Sequence, residues 1–305
     1  MDMSNVISQM LILFLMMLIG YIANKVKVLD EQSNKVLSRV VVFLTNPALI
    51  LSSIVNSDLD ISKGETFRLI LIALLFYMIM PLMAKFFCLF VKGDSSVKHQ
   101  YEAMLTFTNL GFMGIPVISA LYGAGAIFYV TIFLLPFNIL IYSYGIYLLA
   151  TGEGEHSFSW KKVLNPSVIM ALIVLVIFFL DIQTPYVINE TSSLVGATTT
   201  PLAMIIIGSN IALTPLKDVF LDVKVYVFGV VKLLVVPFII LGIFRNFISN
   251  DVLLGVIVII AGMPVASNVA ILRNEYGDDS VLISKGTMIT TLFSLVTIPV
   301  LALLL

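Results

Sequence analysis

The stretch TFTNLGFMGIPVIS, residues 106–119, sets a Gly-Ile-Pro sequence inside an apolar run, and AGMPVASN, residues 261–268, sets Gly-Met-Pro inside another. A proline removes one helical hydrogen bond and clashes with the preceding turn, and a nearby glycine loosens the chain further. Both stretches also carry Asn and Ser side chains. They therefore predict two interrupted helices flanked by polar groups.

The composition predicts that these helices lie in a membrane. Of 305 residues, 60% are hydrophobic and 11% are charged, whereas a soluble domain has about 25% charged residues. One water-soluble core cannot hide that apolar excess, so we expect the lipid bilayer to be the solvent. The net charge of −1 argues against nucleic acid as a partner. The single cysteine, Cys88, excludes an internal disulfide and a Cys-rich metal site, and we expect neither a cofactor nor a metal.

Ten apolar segments are each long enough, at about 20 residues, to cross the hydrocarbon layer as a helix. They cover approximately residues 6–24, 34–55, 66–91, 101–122, 126–150, 163–181, 191–213, 222–246, 251–273 and 280–304. The fold class expected is therefore an all-α membrane protein with ten transmembrane helices, which we call spans 1–10.

Lysine and arginine are distributed unevenly between the two sides of these spans. Only Lys63, Arg68 and Arg245 lie on the side of connections 2–3, 4–5, 6–7 and 8–9. The other side holds thirteen, namely Lys25, Lys27, Lys35, Arg39, Lys85, Lys92, Lys98, Lys161, Lys162, Lys217, Lys224, Arg273 and Lys285. Because cytoplasmic loops carry the excess of positive charge, both termini are predicted to be non-cytoplasmic. The expected location is a cell membrane, crossed several times.

Helix-breaking prolines recur in the same order in both halves of the chain. Spans 2, 3 and 4 contain Pro47, Pro81 and Pro116, and spans 7, 8 and 9 contain Pro201, Pro237 and Pro264. In spans 2 and 7 the breaks read Asn46-Pro47 and Thr200-Pro201. We therefore divide the chain into a first five-helix repeat (1–150), a cytoplasmic linker (151–162) and a second repeat (163–305). An odd number of spans per repeat inverts the second relative to the first, and paired broken helices in inverted repeats are typical of secondary transporters.

The breaks in spans 4 and 9 predict a polar binding pocket. Backbone groups freed in hydrocarbon must be satisfied by protein, water or ligand, and the N-termini of half-helices favour anions. The residues expected there are Thr108, Asn109, Gly114, Pro116, Pro264, Ser267 and Asn268. The alternative is a pair of kinks packed by neighbouring helices, but two matched breaks, each beside Asn and Ser, favour the pocket.

Lys232 lies about ten residues into span 8, roughly 15 Å deep, which is too far for its side chain to reach either surface comfortably. We expect it to face the bundle and neutralise a bound carboxylate. The alternative is a structural lysine bonded to carbonyls freed by Pro237. No Asp or Glu sits comparably deep in a span. A sodium site among the neutral oxygens of Thr108, Asn109, Ser267 and Asn268, or a proton moving with the substrate, both stay open.

Three segments, FLTNPALILSSIV (43–55), TNLGFMGIPVISALYG (108–123) and AGMPVASNVAILRNEYGDDSVLISKGTMITTLFSLVTIPV (261–300), carry a family resemblance. With them the chain resembles the auxin efflux carrier family, which includes plant auxin exporters and bacterial malate or malonate permeases. The resemblance implies a 5+5 inverted repeat whose spans 4 and 9 cross at their prolines beside the substrate. It also implies a scaffold of spans 1, 2, 6 and 7, a mobile unit of spans 3–5 and 8–10, and a homodimer. By motif position, Asn109, Pro116, Pro264 and Asn268 would line the site. The short linker is similar to that of bacterial members, which implies a bacterial inner membrane.

The function expected is a permease that moves a small organic anion, such as a carboxylate, by elevator-like alternating access. A channel or a membrane receptor on the same scaffold is the alternative, although rings of polar or charged residues along one pore are not evident. An intramembrane enzyme would need a catalytic dyad or a metal site, and no local pattern marks one.

Overall fold

The computed structural model describes residues 3–55, 62–150, 163–213, 223–276 and 281–305. The expected linker, residues 151–162, lies outside these ranges. The α-helices are Met3–Lys25, Glu31–Val40, Asn46–Val55, Lys63–Cys88, Ser95–Thr106, Ile115–Tyr122, Ile127–Leu140, Ile146–Leu149, Pro166–Phe179, Tyr186–Ala197, Thr199–Leu213, Val223–Val230, Val236–Phe244, Asp251–Ala261, Ser267–Tyr276 and Val281–Leu304. Single π turns continue some of these helices at Val41–Thr45, Leu110–Gly114, Ile141–Gly145 and Val231–Val235, and a short 3₁₀ turn spans Ala124–Ala126.

Seven continuous helical stretches are long and apolar enough to cross a membrane. They are Val6–Lys25, Glu31–Ser53, Lys63–Cys88, Ala124–Leu149, Tyr186–Leu213, Val223–Phe244 and Val281–Leu304. These stretches correspond to the expected spans 1, 2, 3, 5, 7, 8 and 10. The described part of the chain is therefore an all-helical, multi-pass membrane protein.

The other three expected spans are made of shorter helices. Span 6 is the helix Pro166–Phe179, whose 14 residues extend only about 21 Å. Span 4 consists of two pieces, Ser95–Thr106 and Leu110–Tyr122, and span 9 consists of Asp251–Ala261 and Ser267–Tyr276. Each of these two spans thus contains a true interruption of the helix.

Three π turns explain why several prolines do not break their helices. The turns Val41–Thr45, Leu110–Gly114 and Val231–Val235 each end two residues before a proline, at 47, 116 and 237. In each, the next amide bonds the carbonyl five residues back, as Ile115 N does to Leu110 O. The wider turn moves backbone carbonyls away from the proline ring, so the helix continues. We expected the break of span 4 at Gly114 and Pro116, and the structure moves it back to residues 107–109.

Spans 1 and 7 pack with their backbones in direct contact. A Cβ atom added to Gly208 would lie 1.8 Å from the Met17 carbonyl oxygen, and one added to Gly20 would lie 2.0 Å from that of Ile205. Such close approach through small residues is a usual way for membrane helices to associate.

Candidate functional site

The two interrupted helices meet at one antiparallel backbone contact. The amide of Asn109 donates to the carbonyl of Pro264 at 2.8 Å, and the amide of Ala266 donates to the carbonyl of Phe107 at 3.0 Å. Thr108 and Val265 form the bridge between these bonds. We call residues 107–109 and 264–266 the crossing. It brings together the two stretches on which the predicted site depends.

The crossing replaces the hydrogen bonds that both helices lose where they stop. Irregular backbone at membrane depth requires such internal partners. A side chain of span 10 adds a third contact, because Val265 N donates to Thr290 Oγ1 at 3.1 Å. Phe107, Thr108 and Val265 are fully buried. The crossing is therefore a backbone junction enclosed in protein, with no lipid contact.

A cavity of about 500 Å³ lies against the crossing. Its polar lining comes from both repeats, and none of the described side chains that form its wall carries a charge. Those polar residues are Asn46, Thr108, Asn109, Asn138, Tyr142, Asn165, Ser167, Ser267 and Asn268, and the apolar ones include Phe112, Ile115, Leu134 and Phe137. The cavity is thus mainly an amide-lined pocket with aromatic and aliphatic walls.

Some of the amides are fixed by protein partners. Asn165 Nδ2 donates to Asn138 Oδ1 at 2.7 Å, and Asn138 Nδ2 donates to Leu134 O at 2.8 Å. The Asn165 oxygen accepts from Val168 N at 3.1 Å, which caps the helix Pro166–Phe179. This pair ties span 5 to span 6 and orients one wall of the cavity.

Other polar atoms at the wall have no partner among the described residues. The side-chain oxygens of Asn46 and Thr108 are both buried and unbonded there. A buried polar atom without a hydrogen bond costs about 1–3 kcal/mol. A ligand, ion or water in the cavity would remove that cost.

Two helices begin at the cavity. The stretch that starts at Leu110 has Asn109 as its N-cap, whose Oδ1 accepts from Phe112 N at 3.3 Å. The helix Ser267–Tyr276 starts just after the crossing, and Ser267 and Asn268 line the wall. Each helix N-terminus is equivalent to roughly half a positive charge. Together they are equivalent to about one unit of positive charge, with no cationic side chain involved.

Lys232 does not line this cavity, contrary to our expectation. Its side chain is fully buried, and Nζ donates to the carbonyl of Leu105 at 2.6 Å. In a continuous helix that carbonyl would accept from Asn109 N, which at the crossing bonds Pro264 instead. Lys232 thus supplies the hydrogen bond that the interruption removed. The geometry favours the structural alternative, although the carbonyl is that of Leu105 and was not freed by Pro237.

The remaining predicted residues, apart from Asn46, do not form the wall of the cavity. Gly114 and Pro116 belong to the turn that follows Leu110, and Pro264 takes part in the crossing through its carbonyl. Pro47, Thr200 and Pro201 are likewise outside the lining, whereas Asn46 is part of it.

Sequence reasoning missed Asn138, Tyr142, Asn165 and Ser167, which also line the cavity. Two signals were present in the sequence. Asn138 is a polar residue inside the apolar span 5, where such residues usually face the bundle interior. Asn165-Pro166 is a typical helix start, which places the Asn side chain at the edge of span 6.

Comparison with known proteins identifies the family of the chain. Residues 5–302 match the family model described as membrane transport protein. The chain is also similar to an uncharacterized transporter of Methanothermobacter thermautotrophicus, with 28% identity over 291 residues, which is 93% of each chain. Because the family match covers nearly the whole length, the chain belongs to the membrane transport protein family.

Proposed function

We propose that the protein is a secondary transporter that binds a small organic anion, such as a carboxylate, in the cavity beside the crossing. The observation that carries the proposal is the start of two helices at one uncharged, amide-lined cavity. A carboxylate accepts hydrogen bonds from amide groups, and the two N-termini offset about one negative charge. A volume of about 500 Å³ is within the usual range for small-molecule sites.

The proposed architecture has ten spans in a 5+5 inverted repeat, with spans 4 and 9 broken and crossing. The hydrogen bonds between residues 107–109 and 264–266 support the crossing, and the two-piece helices of both spans support the pairing. In the elevator-like mechanism that we propose, spans 3–5 and 8–10 carry the cavity past a scaffold of spans 1, 2, 6 and 7. The proposal includes a homodimer in a bacterial inner membrane with both termini outside the cytoplasm.

The residues that line the cavity support this division into a scaffold and a mobile unit. Asn46 and Ser167, on spans 2 and 6, belong to the proposed scaffold, whereas Asn109, Asn138 and Asn268 belong to the proposed mobile unit. Ser167 also donates to the carbonyl of Val42 at 3.3 Å, which links the two scaffold spans beside the cavity. Movement of the mobile unit would separate the two sets of side chains and open the cavity.

The test is transport by the purified protein in proteoliposomes. Labelled malate, malonate, lactate and indole-3-acetate are offered in turn, with imposed sodium or proton gradients. We expect saturable uptake of at least one acid and counterflow, in which unlabelled acid inside drives entry of the labelled acid. Counterflow separates a carrier from a channel. If correctly folded protein moved none of the four, the organic-acid assignment would be wrong.

A pair of variants locates the site. Asn268 is half-buried at the cavity wall, so Asn268→Ala is expected to raise KM for the transported acid by roughly tenfold, about the loss of one hydrogen bond to a charged group. The control is Asn189→Ala, because the Asn189 amide donates to Thr184 O and does not line the cavity. Equal KM values for both variants would show that the substrate binds elsewhere.

A further inference from the structure

Glu102 is the only buried acidic residue among the side chains that the structure describes, with 6% of its surface exposed. It lies near the start of span 4, in the helix Ser95–Thr106. A buried carboxylate in a membrane protein is costly when charged and is usually functional. The ion pairs formed within the described ranges, Lys35–Glu31 and Lys63–Asp181, do not include it.

The partner of Glu102 is a neutral group connected to the cavity. The Tyr144 hydroxyl donates to Glu102 Oε1. Tyr144 lies on the π turn Ile141–Gly145, and two residues earlier on the same turn Tyr142 lines the cavity. A Cβ atom added to Gly145 would lie 3.2 Å from the ring of Phe107, so this turn also packs against the crossing. Tyr144 thus links Glu102 to a turn that contacts both the cavity and the crossing.

Titratable and charged groups are present on the helix of Glu102 and on the helices that pack against it. Those on its own helix, on span 3 and on span 5 are Lys98, His99, Lys85, Cys88, Tyr144 and Tyr147. Lys85 Nζ lies 5.4 Å from the centre of the Tyr144 ring, and Cys88 Sγ donates to Lys98 O. Span 10 contributes Lys285, and span 9 contributes Arg273, whose guanidinium donates to Leu149 O and Ser96 Oγ. On span 8, Lys232 donates to the carbonyl of Leu105, which lies on the same helix as Glu102.

We propose that Glu102 binds one proton from water on one side of the membrane and releases it to water on the other side in each transport cycle. The inference rests on the proposed function, to which it adds a coupling ion. When the mobile unit moves with an anionic substrate bound, a charged Glu102 would add a second negative charge, because no ion pair among the described residues includes it. Protonation removes that second charge, and the empty unit returns with Glu102 deprotonated. The carboxylate oxygen gains and later loses H⁺, and no other bond changes.

The first experiment measures proton-driven accumulation of labelled malate, or of whichever panel acid shows counterflow. Proteoliposomes are made acidic outside, with the membrane potential held at zero by potassium and valinomycin. One proton per substrate gives about tenfold accumulation per pH unit, because one unit corresponds to a tenfold ratio. Glu102→Gln is expected to lose this accumulation. Glu65→Gln should keep it, because Glu65 is exposed and glutamine also fits its helix-capping role.

The outcomes separate the two proposals. Unchanged accumulation by Glu102→Gln, or wild-type accumulation driven by sodium and not by pH, would overturn the role of Glu102 and leave the carrier intact. Absence of counterflow for every acid would instead count against the proposed function.

A second measurement needs no substrate. Infrared difference spectra recorded during a pH titration of the purified protein should contain the carbonyl stretch of a protonated carboxylic acid. The contribution of Glu102 to this band should be lost in Glu102→Gln and should shift in Tyr144→Phe, which removes the donor and keeps the ring. A titration spectrum that is the same in wild type and Glu102→Gln refutes proton binding at this residue.

Discussion

Replacing Lys232 with methionine tests whether the crossing depends on a side chain outside it. Methionine keeps most of the aliphatic stem and removes the donor, so the main loss is the 2.6 Å bond to Leu105 O. Both residues are almost fully buried, so water cannot easily take the place of the ammonium. The carbonyl would be left with no partner two residues before the first residue of the crossing.

The magnitude follows from two opposing effects. Leaving a buried acceptor unpaired, or losing a bond to a charged donor, costs about 1–3 kcal/mol. Removing the buried ammonium also removes its desolvation penalty, which acts in the opposite direction. We therefore expect Lys232→Met to lower the free energy of unfolding by about 1–2 kcal/mol, in the lower part of the range.

The assay is unfolding of the purified protein in detergent, followed by circular dichroism. Lys63→Met is the matched control, because Lys63 forms an exposed ion pair with Asp181 and such pairs contribute about 0–1 kcal/mol. Labelling of a cysteine introduced at Asn268, in a Cys88→Ala background, reports on the cavity. The same labelling rate and the same stability in Lys232→Met as in Lys63→Met would refute the idea that Lys232 supports the crossing.

Two further predictions concern packing and pH. Gly208→Ala should destabilise the protein by about 1–3 kcal/mol in the same unfolding assay, because the new Cβ would overlap the Met17 backbone. Gly242→Ala, with open space around it, should be neutral or stabilising, and equal effects would argue against close packing of spans 1 and 7. Hydrogen bonds from the Ser33 hydroxyl and amide lower the pKa of Asp30. A depressed folded-state pKa gives stability that is present above the unfolded pKa and lost as the pH falls through the folded one. Asp30→Ala should therefore differ from wild type in melting temperature at neutral pH and converge with it in acid, and a pH-independent difference would contradict this.

The amino-acid composition and the helix-breaking prolines were sufficient to predict a multi-pass helical membrane protein. The apolar excess leaves no other solvent, and the stretches that contain Asn109 and Pro264 do meet. The position of the first interruption was wrong because a proline rule describes only local backbone. Pro116 is accommodated by a π turn, whereas Thr108 lies in the interruption with no proline within seven positions of it in the sequence.

The environments of Lys232 and Glu102 could not be predicted from local sequence patterns. The partner of Lys232 exists only because Asn109 N bonds a distant carbonyl, which is a tertiary event. The position of Lys232 along its span predicted that the side chain is buried. It could not tell whether the side chain faces the cavity or bonds a carbonyl at the end of a neighbouring helix. Glu102 illustrates the reverse case, since a polar helix start gave no sign that neighbouring helices would enclose it.

The crossing also constrains how the chain can be assembled. Residues 107–109 enter the membrane long before residues 264–266 have been synthesised, yet each segment holds the hydrogen-bond partners of the other. Until the second segment arrives, the first must stay hydrated or be sheltered by the insertion machinery, since lipid offers no substitute. A nascent chain halted before residue 264 would consequently expose open backbone at membrane depth, and quality-control proteases are expected to degrade it faster than the finished protein.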